Sequence, residues 1–174
     1  MLLEGVKCRL RACEPHDIDY IHRQENNPSV WEVSGTVAPY SRYSIENFVA
    51  EQQVGIWSTR QLRLMIEAVA DGRRVGMADL FEFDAVNLRA GVGILICEPS
   101  DRRQGYAAEA LGLLCDYAHD VLRLHQLWCG VRADNTASLS LFSRAGFVRT
   151  GCRRDWYLTA GGWCDEIEFQ KILP

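Results

Sequence analysis

One stretch of the chain decides its fold: residues 94–111, which read ILICEPSDRRQGYAAEAL. An apolar run passes through a short turn into a helix whose first turn carries Gly105 and several alanines. The first backbone N–H groups of a helix lack helical partners and lie at the positive end of its dipole. Small side chains let an anion approach these groups, and Arg102 and Arg103 add positive charge. The stretch therefore predicts a phosphate-binding turn, although Gly105 is also compatible with simple close packing of the helix on the sheet.

Helices and strands alternate on both sides of that stretch. Apolar patterns with a period of two, or continuous apolar runs, predict strands over residues 6–11, 62–69, 75–83, 92–96, 126–132, 149–158 and 163–173. Apolar residues three and four positions apart predict helices over 17–25, 44–54, 104–122 and 135–145, with Ser44 and Asn135 as N-caps. We therefore expect a single α+β (α/β) domain over residues 1–174, with a mixed, mostly antiparallel twisted sheet flanked by helices.

Composition narrows the class of protein. The chain has 174 residues, a formal charge of −4, 48% apolar and 24% charged residues, which excludes intrinsic disorder and a nucleic-acid-coating protein. The seven cysteines are irregularly spaced and the four histidines show no metal-binding spacing, so we predict neither disulfides nor a metal. Apolar runs stay below the roughly 18–20 residues that cross a bilayer, and the first residues lack a signal-peptide layout. We expect a cytoplasmic protein without membrane or nucleic-acid partners.

Two motifs resemble those of a known family. Arg102, Gly105 and Ala107 match the Arg/Gln-x-x-Gly-x-Gly/Ala pattern of motif A in the GNAT superfamily of acetyl-CoA-dependent N-acetyltransferases. Residues 135–138 (NTAS) and 144–147 (RAGF) resemble motif B, Asn-x-x-Ser followed by Lys/Arg-x-Gly-Phe. The resemblance covers roughly residues 6–173. It is closest to the subgroup that contains spermidine and ribosomal-protein alanine N-acetyltransferases, and it implies a GNAT-like acyl-CoA N-acyltransferase fold.

The resemblance also implies a ligand site. In the family, the fourth and fifth strands splay apart, and acetyl-CoA lies in the resulting cleft like an added strand. By position, the thioester and pantetheine would contact the backbone of Ile94, Leu95 and Ile96. The residues implied to wrap the pyrophosphate are Arg102, Arg103, Gln104, Gly105, Tyr106 and Ala107. Asn135 would contact the pantetheine arm, and Ser138 and Arg144 would lie near its far end, although Asn135 also suits simple N-capping.

The sequence departs from the family pattern at both usual acid–base positions. Many members place a Glu early in the fourth strand, where this chain has Gly91. The spermidine enzymes use a motif B Tyr as general acid, and that position is Phe142 here. Since a phenyl ring carries no exchangeable proton, the detailed mechanism must involve other residues.

Asp79 and Glu82, on the predicted third strand, are the candidate bases, and Glu82 is slightly favoured. Their offset of three places them on opposite strand faces, so at most one can face the substrate directly. The alternative is that both are solvent-facing strand charges. Tyr157 and Ser143 are further proton donors, without a matching family position.

We therefore expect an N-acetyltransferase that moves acetyl from acetyl-CoA to a primary amine by direct attack in a ternary complex. The acceptor is a polyamine, a protein N-terminus or another small amine. Residues 25–43, which match no subgroup well, are expected to shape the acceptor site. The competing hypothesis is a catalytically degenerate acyl-CoA-binding sensor or scaffold, which Gly91 and Phe142 keep open. The oligomeric state stays open as well, with a homodimer as one option.

Overall fold

The computed structural model describes residues 3–174 and, within them, forms one seven-stranded sheet in the order β1-β2-β3-β4-β5-β7-β6. The strands are β1 (Cys8–Ala12), β2 (Leu62–Ala68), β3 (Arg74–Asp84), β4 (Arg89–Ile96), β5 (Gln126–Arg132), β6 (Val148–Thr159) and β7 (Gly162–Ile172). Adjacent strands run antiparallel except β4 and β5, which are parallel. The long helical crossover over residues 106–120, between β4 and β5, makes this parallel pair possible. The predicted α+β fold with a mixed, mostly antiparallel sheet is confirmed.

Six α-helices accompany the sheet within the described residues. They are α1 (Ile18–Glu25), α2 (Pro28–Ser34), α3 (Arg42–Glu51), α4 (Ile56–Thr59), α5 (Tyr106–Asp120) and α6 (Thr136–Arg144). The prediction of Ser44 as the N-cap of α3 is wrong, because Ser41 holds that place and its hydroxyl accepts the N–H of Ser44 at 3.0 Å. The short helices α2 and α4 were not predicted. None of these helices combines the length and apolar character needed to cross a bilayer.

The sheet carries a different core on each face. The face covered by α5 and α6 holds the larger core, in which Leu80 and Leu127 are fully buried. The face covered by α1 and α3 holds a smaller core around Ile21, Met65 and Met77. Side chains two residues apart on a strand point to the same face of the sheet. Arg63 and Asp79, each two residues from Met65 or Met77, therefore lie on the α1–α3 face as well.

Candidate active site

The parallel strands β4 and β5 separate partway along their length. They pair at Arg89–Gln126, Ala90–Leu127 and Gly91–Trp128, and this pairing ends there although β4 continues to Ile96 and β5 to Arg132. Beyond that point each strand turns backbone groups toward the gap. Unpaired strand edges of this kind bind extended ligands through backbone hydrogen bonds.

A cavity of about 640 Å³ lies at this gap. Its walls come from 92–95 of β4, 129–132 of β5, Asn135, Ser138 and Phe142, and it reaches the α1–α3 face. The volume falls in the range of small-molecule sites. The structure thus brings together Ile94, Leu95, Asn135, Ser138 and Asp79, among the residues predicted from the sequence.

The predicted phosphate-binding turn follows β4 and leads directly into α5. Arg103 and Gly105 have φ angles of 61° and 91°, in the left-handed region. Turns with such residues direct successive backbone N–H groups into an anion-binding concavity. A Cβ at Gly105 would lie 2.9 Å from Lys7 Nζ, so space as well as φ favours glycine. The turn and the cavity lie along the same strand, at its end and its middle respectively.

Charged side chains fix this turn to the rest of the fold. The guanidinium of Arg73 donates two hydrogen bonds of 2.7 Å to the buried carboxylate of Asp101. Lys7 Nζ donates to the carbonyl of Gln104 at 2.7 Å, and Arg102 donates to the carbonyls at the end of β4 at 3.4 Å. These hydrogen bonds hold the turn in its conformation without a ligand.

Helix α5 is anchored at its first turn by Glu109. Its carboxylate accepts the backbone N–H groups of Val6, Lys7 and Cys8 at 3.0, 2.7 and 2.7 Å. Burial opposes its ionisation, but these N–H groups outweigh that effect and lower the pKa of Glu109. This Glu lies in the quoted stretch, yet sequence reasoning gave it no role.

Helix α6 presents Asn135 and Phe142 to the cavity. The Asn135 side chain accepts the N–H of Ser138 at 3.1 Å, so the predicted N-cap is confirmed. Phe142 is 5% exposed and packs edge-on against Phe147 at 5.1 Å between ring centroids. Arg144 ends α6 at the surface, away from the residues that line the cavity.

Asp79 lies in the cavity but is engaged in an ion-pair network. Its two oxygens accept from Arg63 Nε and Nη2 at 2.7 and 2.8 Å, and Glu25 binds the same guanidinium. Burial opposes the charge of Arg63, but the two carboxylates outweigh it and raise its pKa. The network gives one side of the cavity a polar wall.

Glu82 lies elsewhere. It has a φ of 48° at the irregularity in the β3–β4 pairing and is exposed to solvent. It borders a second, wider groove on the α1–α3 side, formed over β4, β5 and β7 and here called the β5–β7 groove. The groove and the cavity share Gln61, Phe81, Cys129 and Gly130 as wall residues, so they are continuous. Asp79 and Glu82 are not brought together; each faces a different part of this combined space.

Gly91 stands where many family members carry a Glu, and another side chain occupies the space of that carboxylate. A Cβ at Gly91 would lie 2.3 Å from Cε2 of Phe81, whose ring covers this glycine. The same ring packs edge-on against Trp128 with 5.4 Å between centroids. An aromatic side chain of β3 therefore fills the space that a β4 carboxylate would need.

A second polar cluster, on β6 and β7, was not predicted from the sequence. The hydroxyl of Tyr157 donates to Glu166 Oε2, and Arg153 donates to Glu166 Oε1 at 2.9 Å. Tyr157 lines the cavity and Glu166 lines the β5–β7 groove. Glu166 stands between Asp165 and Ile167, with Glu168 two residues on, so the sequence pattern of β7 does not single it out. Among residues 3–174, no group of three or more His, Cys, Asp or Glu side chains is arranged to hold a metal ion.

A sheet that opens between two parallel strands, with a turn suited to anions at the end of one of them, belongs to a class of α+β folds suited to an extended, phosphate-bearing ligand. The acetyltransferase (GNAT) domain model matches residues 7–148. The chain belongs to this family of acetyltransferases. The predicted family and the predicted transfer of acetyl to an amine are thereby confirmed, and the alternative of a degenerate binding module gains no support.

Individual relatives agree with this assignment. The chain is 30% identical over 143 residues to spermidine N(1)-acetyltransferase of Escherichia coli (strain K12), covering 82% of this chain and 74% of that protein. It is 24% identical over 177 residues to the probable N-acetyltransferase YjcK of Bacillus subtilis (strain 168), covering 99% and 98%. The crystal structure of Vibrio cholerae spermidine N-acetyltransferase with CoA and spermine matches with a TM-score of 0.86 at 22% identity, over 97% of both chains.

Proposed function

We propose that this N-acetyltransferase takes its acetyl group from acetyl-CoA and transfers it to a primary amine of a linear polyamine. The observation that carries the proposal is the separation of β4 from β5 after Gly91 and Trp128. It opens one continuous space between the anion-binding turn on one side and a carboxylate-containing groove on the other. Such a space admits an acyl donor and an amine from different directions.

The residues present fit acetyl-CoA. Arg103 and Gly105 give the turn its left-handed residues, and the first N–H groups of α5 suit the pyrophosphate, with charge from Arg102. The backbone of Ile94, Leu95 and Ile96 lies on the open edge of β4 and suits the pantetheine amides. Gln104, Tyr106 and Ala107 complete the turn, and Asn135 and Ser138 at the start of α6 line the opposite wall, whereas Arg144 at the far end of α6 does not. Bound there, the thioester supplies the electrophilic carbonyl carbon.

The acceptor side suits a cation. Four carboxylates, Glu82 and Asp84 among them, line the groove against three arginines, and this negative balance attracts an ammonium group. In the cavity, Glu25 and Asp79 stand beside two arginines, so the groove is the acceptor side. Spermidine is the substrate in the names of the relatives from Escherichia coli and Vibrio cholerae. Asp79 and Glu82 stay predictions as the base, as do the cytoplasmic location, the single domain over 1–174 and a homodimeric assembly.

The proposal is tested by thiol release from acetyl-CoA with spermidine, an N-terminal peptide and an aminoglycoside as acceptors, with mass spectrometry of the products. We expect acetylated spermidine to form with the highest kcat/KM of the three. Thiol release with the peptide alone would replace the polyamine by a protein N-terminus. Absence of thiol release with all three would contradict the proposal.

A further inference from the structure

The carboxylate of Glu166 lies against the strand that borders the cleft. A Cβ at Gly130 of β5 would lie 2.5 Å from the Cδ and Oε2 atoms of Glu166, so the side chain covers the glycine backbone directly. Gly130 lies two residues after Trp128, the last β5 residue paired with β4, and lines both the cavity and the groove. Glu166 is 6% exposed. Glycine at position 130 thus brings a carboxylate of β7 to the point where the two central strands part.

Two partners orient this carboxylate. Arg153 Nη1 donates to one oxygen at 2.9 Å, and the Tyr157 hydroxyl donates to the other. Glu166 borders the groove, whereas Tyr157 borders the cavity where the thioester is proposed to lie. The hydrogen bond between them therefore connects the acceptor side to the donor side.

We propose that Glu166 and Tyr157 form the proton relay of the acetyl transfer, in place of the acid–base groups missing at Gly91 and Phe142. The inference rests on the function proposed above. The Glu166 carboxylate takes one proton from the substrate ammonium, and the freed amine attacks the thioester carbonyl carbon. A C–N bond forms and the C–S bond breaks. The sulfur takes the Tyr157 hydroxyl proton while Tyr157 takes the proton held by Glu166, and the second nitrogen proton leaves to water.

The direction of the pKa shift favours a concerted relay over a free phenolate. Burial raises the pKa of Tyr157, and the hydrogen bond and charge of Glu166 raise it further. A tyrosine in this setting gives up its proton only as another arrives from its partner. Net transfer then runs from a carboxylic acid to a thiolate, which is the stronger base of the two.

The other candidates are placed less well for this role. Both oxygens of Asp79 already accept hydrogen bonds from the buried cation Arg63, on the far side of the cavity. Glu82 is exposed at the rim of the groove and contacts no hydroxyl of the cavity wall through a side-chain hydrogen bond within the described residues. Glu166 alone among these carboxylates carries a hydroxyl partner that lines the cavity.

The strand offers a matched control. Glu168 lies two residues along β7 on the same face and pairs with the same Arg153 at 2.6 Å. Its carboxylate leans the other way, with Oε2 2.4 Å from where a Cβ of Gly151 in β6 would stand. Glu168 also lines the β5–β7 groove but has no hydrogen bond to Tyr157, so Glu168→Gln removes the same charge from the same strand, groove and ion pair while leaving the Glu166–Tyr157 pair intact.

The experiment compares Glu166→Gln, Tyr157→Phe, the double variant and Glu168→Gln in the thiol-release assay with spermidine from pH 6.5 to 10. CoA binding is measured by calorimetry and folding by circular dichroism. We expect kcat to fall about 10²-fold or more in Glu166→Gln, with the loss shrinking toward pH 10 as the amine loses its proton by itself. Tyr157→Phe should lose turnover at every pH, and the double variant should be no worse than Glu166→Gln, because the two act as a unit. Glu168→Gln should leave the pH dependence of kcat unchanged, and its lost groove charge should appear in KM instead.

Several results would overturn the relay. If Glu166→Gln and Tyr157→Phe turn over like Glu168→Gln while the wild type is active, the pair only ties β6 to β7. If the variants lose CoA binding or folding in proportion to turnover, the role is structural. Asp79→Asn and Glu82→Gln are assayed alongside, and if either shows the pH-dependent loss instead, the base lies there. A wild type that releases no thiol with any amine would overturn the proposed function and the relay together.

Discussion

Replacing Gly91 with alanine tests how firmly the acceptor side of the cleft is packed. The new Cβ would lie 2.3 Å from Cε2 of Phe81, whereas carbon atoms in contact stand about 3.5–4.0 Å apart. The ring must therefore retreat by more than an ångström. It cannot do so freely, because its edge-to-face partner Trp128 lies 5.4 Å away between centroids.

The cost follows from these contacts. Overpacking of this size costs about 1–3 kcal/mol, and a disturbed aromatic pair adds up to about 1 kcal/mol. We expect Gly91→Ala to lose about 2 kcal/mol of unfolding free energy, or roughly 4–8 °C in Tm for a chain of this length. Gly112→Ala is the control: a Cβ there meets no atom within 4 Å, and alanine in a helix should gain about 0.5–1 kcal/mol.

Urea unfolding followed by far-ultraviolet circular dichroism measures both variants, with the slope m checking that the unfolded state is unchanged. The double variant Phe81→Ala with Gly91→Ala completes a cycle, and we expect the two changes to be non-additive because the smaller residue removes the collision. If Gly91→Ala is as stable as the wild type while Gly112→Ala gains stability, Phe81 does not fill the carboxylate position and the packing argument fails.

Two further predictions concern the turn and the N-terminal region. Gly105→Glu puts a carboxylate at the proposed pyrophosphate site, and calorimetry should show CoA binding weakened at least tenfold, about 1.4 kcal/mol. Gly72→Glu, at another glycine with positive φ, is the control. Equal CoA affinities of the two variants would refute the assignment. Burial disfavours ionised Asp17, but hydrogen bonds from Arg11 and Arg74 outweigh it and hold its pKa well below the usual range. The depressed pKa stabilises the folded state fully above about pH 4, and this stabilisation should be lost as the pH falls further. The difference between the urea midpoints at pH 7 and at pH 3 should therefore be smaller for Asp17→Asn than for the wild type.

Much of the fold could be predicted because local patterns and tertiary structure agree. The continuous apolar run of β4, the amphipathic α5 and the capped α6 each satisfy local propensity and burial at once. The region between α1 and β2 could not be predicted in detail. Its helices α2 and α4 are only seven and four residues long, too short for a periodic signal, and start at Pro28 and after Gly55.

The Glu166 cluster was missed for a different reason. The turn between β6 and β7 sets a register in which Tyr157 opposes Cys164, and continuing it would place Glu166 opposite Asp155. A bulge with Asp155 at a φ of 50° shifts the register, so Arg153 takes that place instead. Bulges change which side chains meet across a hairpin, and turn residues give no sign of a bulge further along the strand.

The two sides of the gap between β4 and β5 are arranged alike. On the β4 side, Phe81 of the outer neighbour β3 covers Gly91; on the β5 side, Glu166 of the outer neighbour β7 covers Gly130. In each case a glycine on a central strand admits a side chain from the adjoining strand. The apolar side chain stands at the position where many family members carry a Glu, and in the relay proposed above the carboxylate acts from the opposite edge. We therefore expect glycine at position 130 to matter as much as Glu166 itself, since any Cβ there would push the carboxylate away from the cleft.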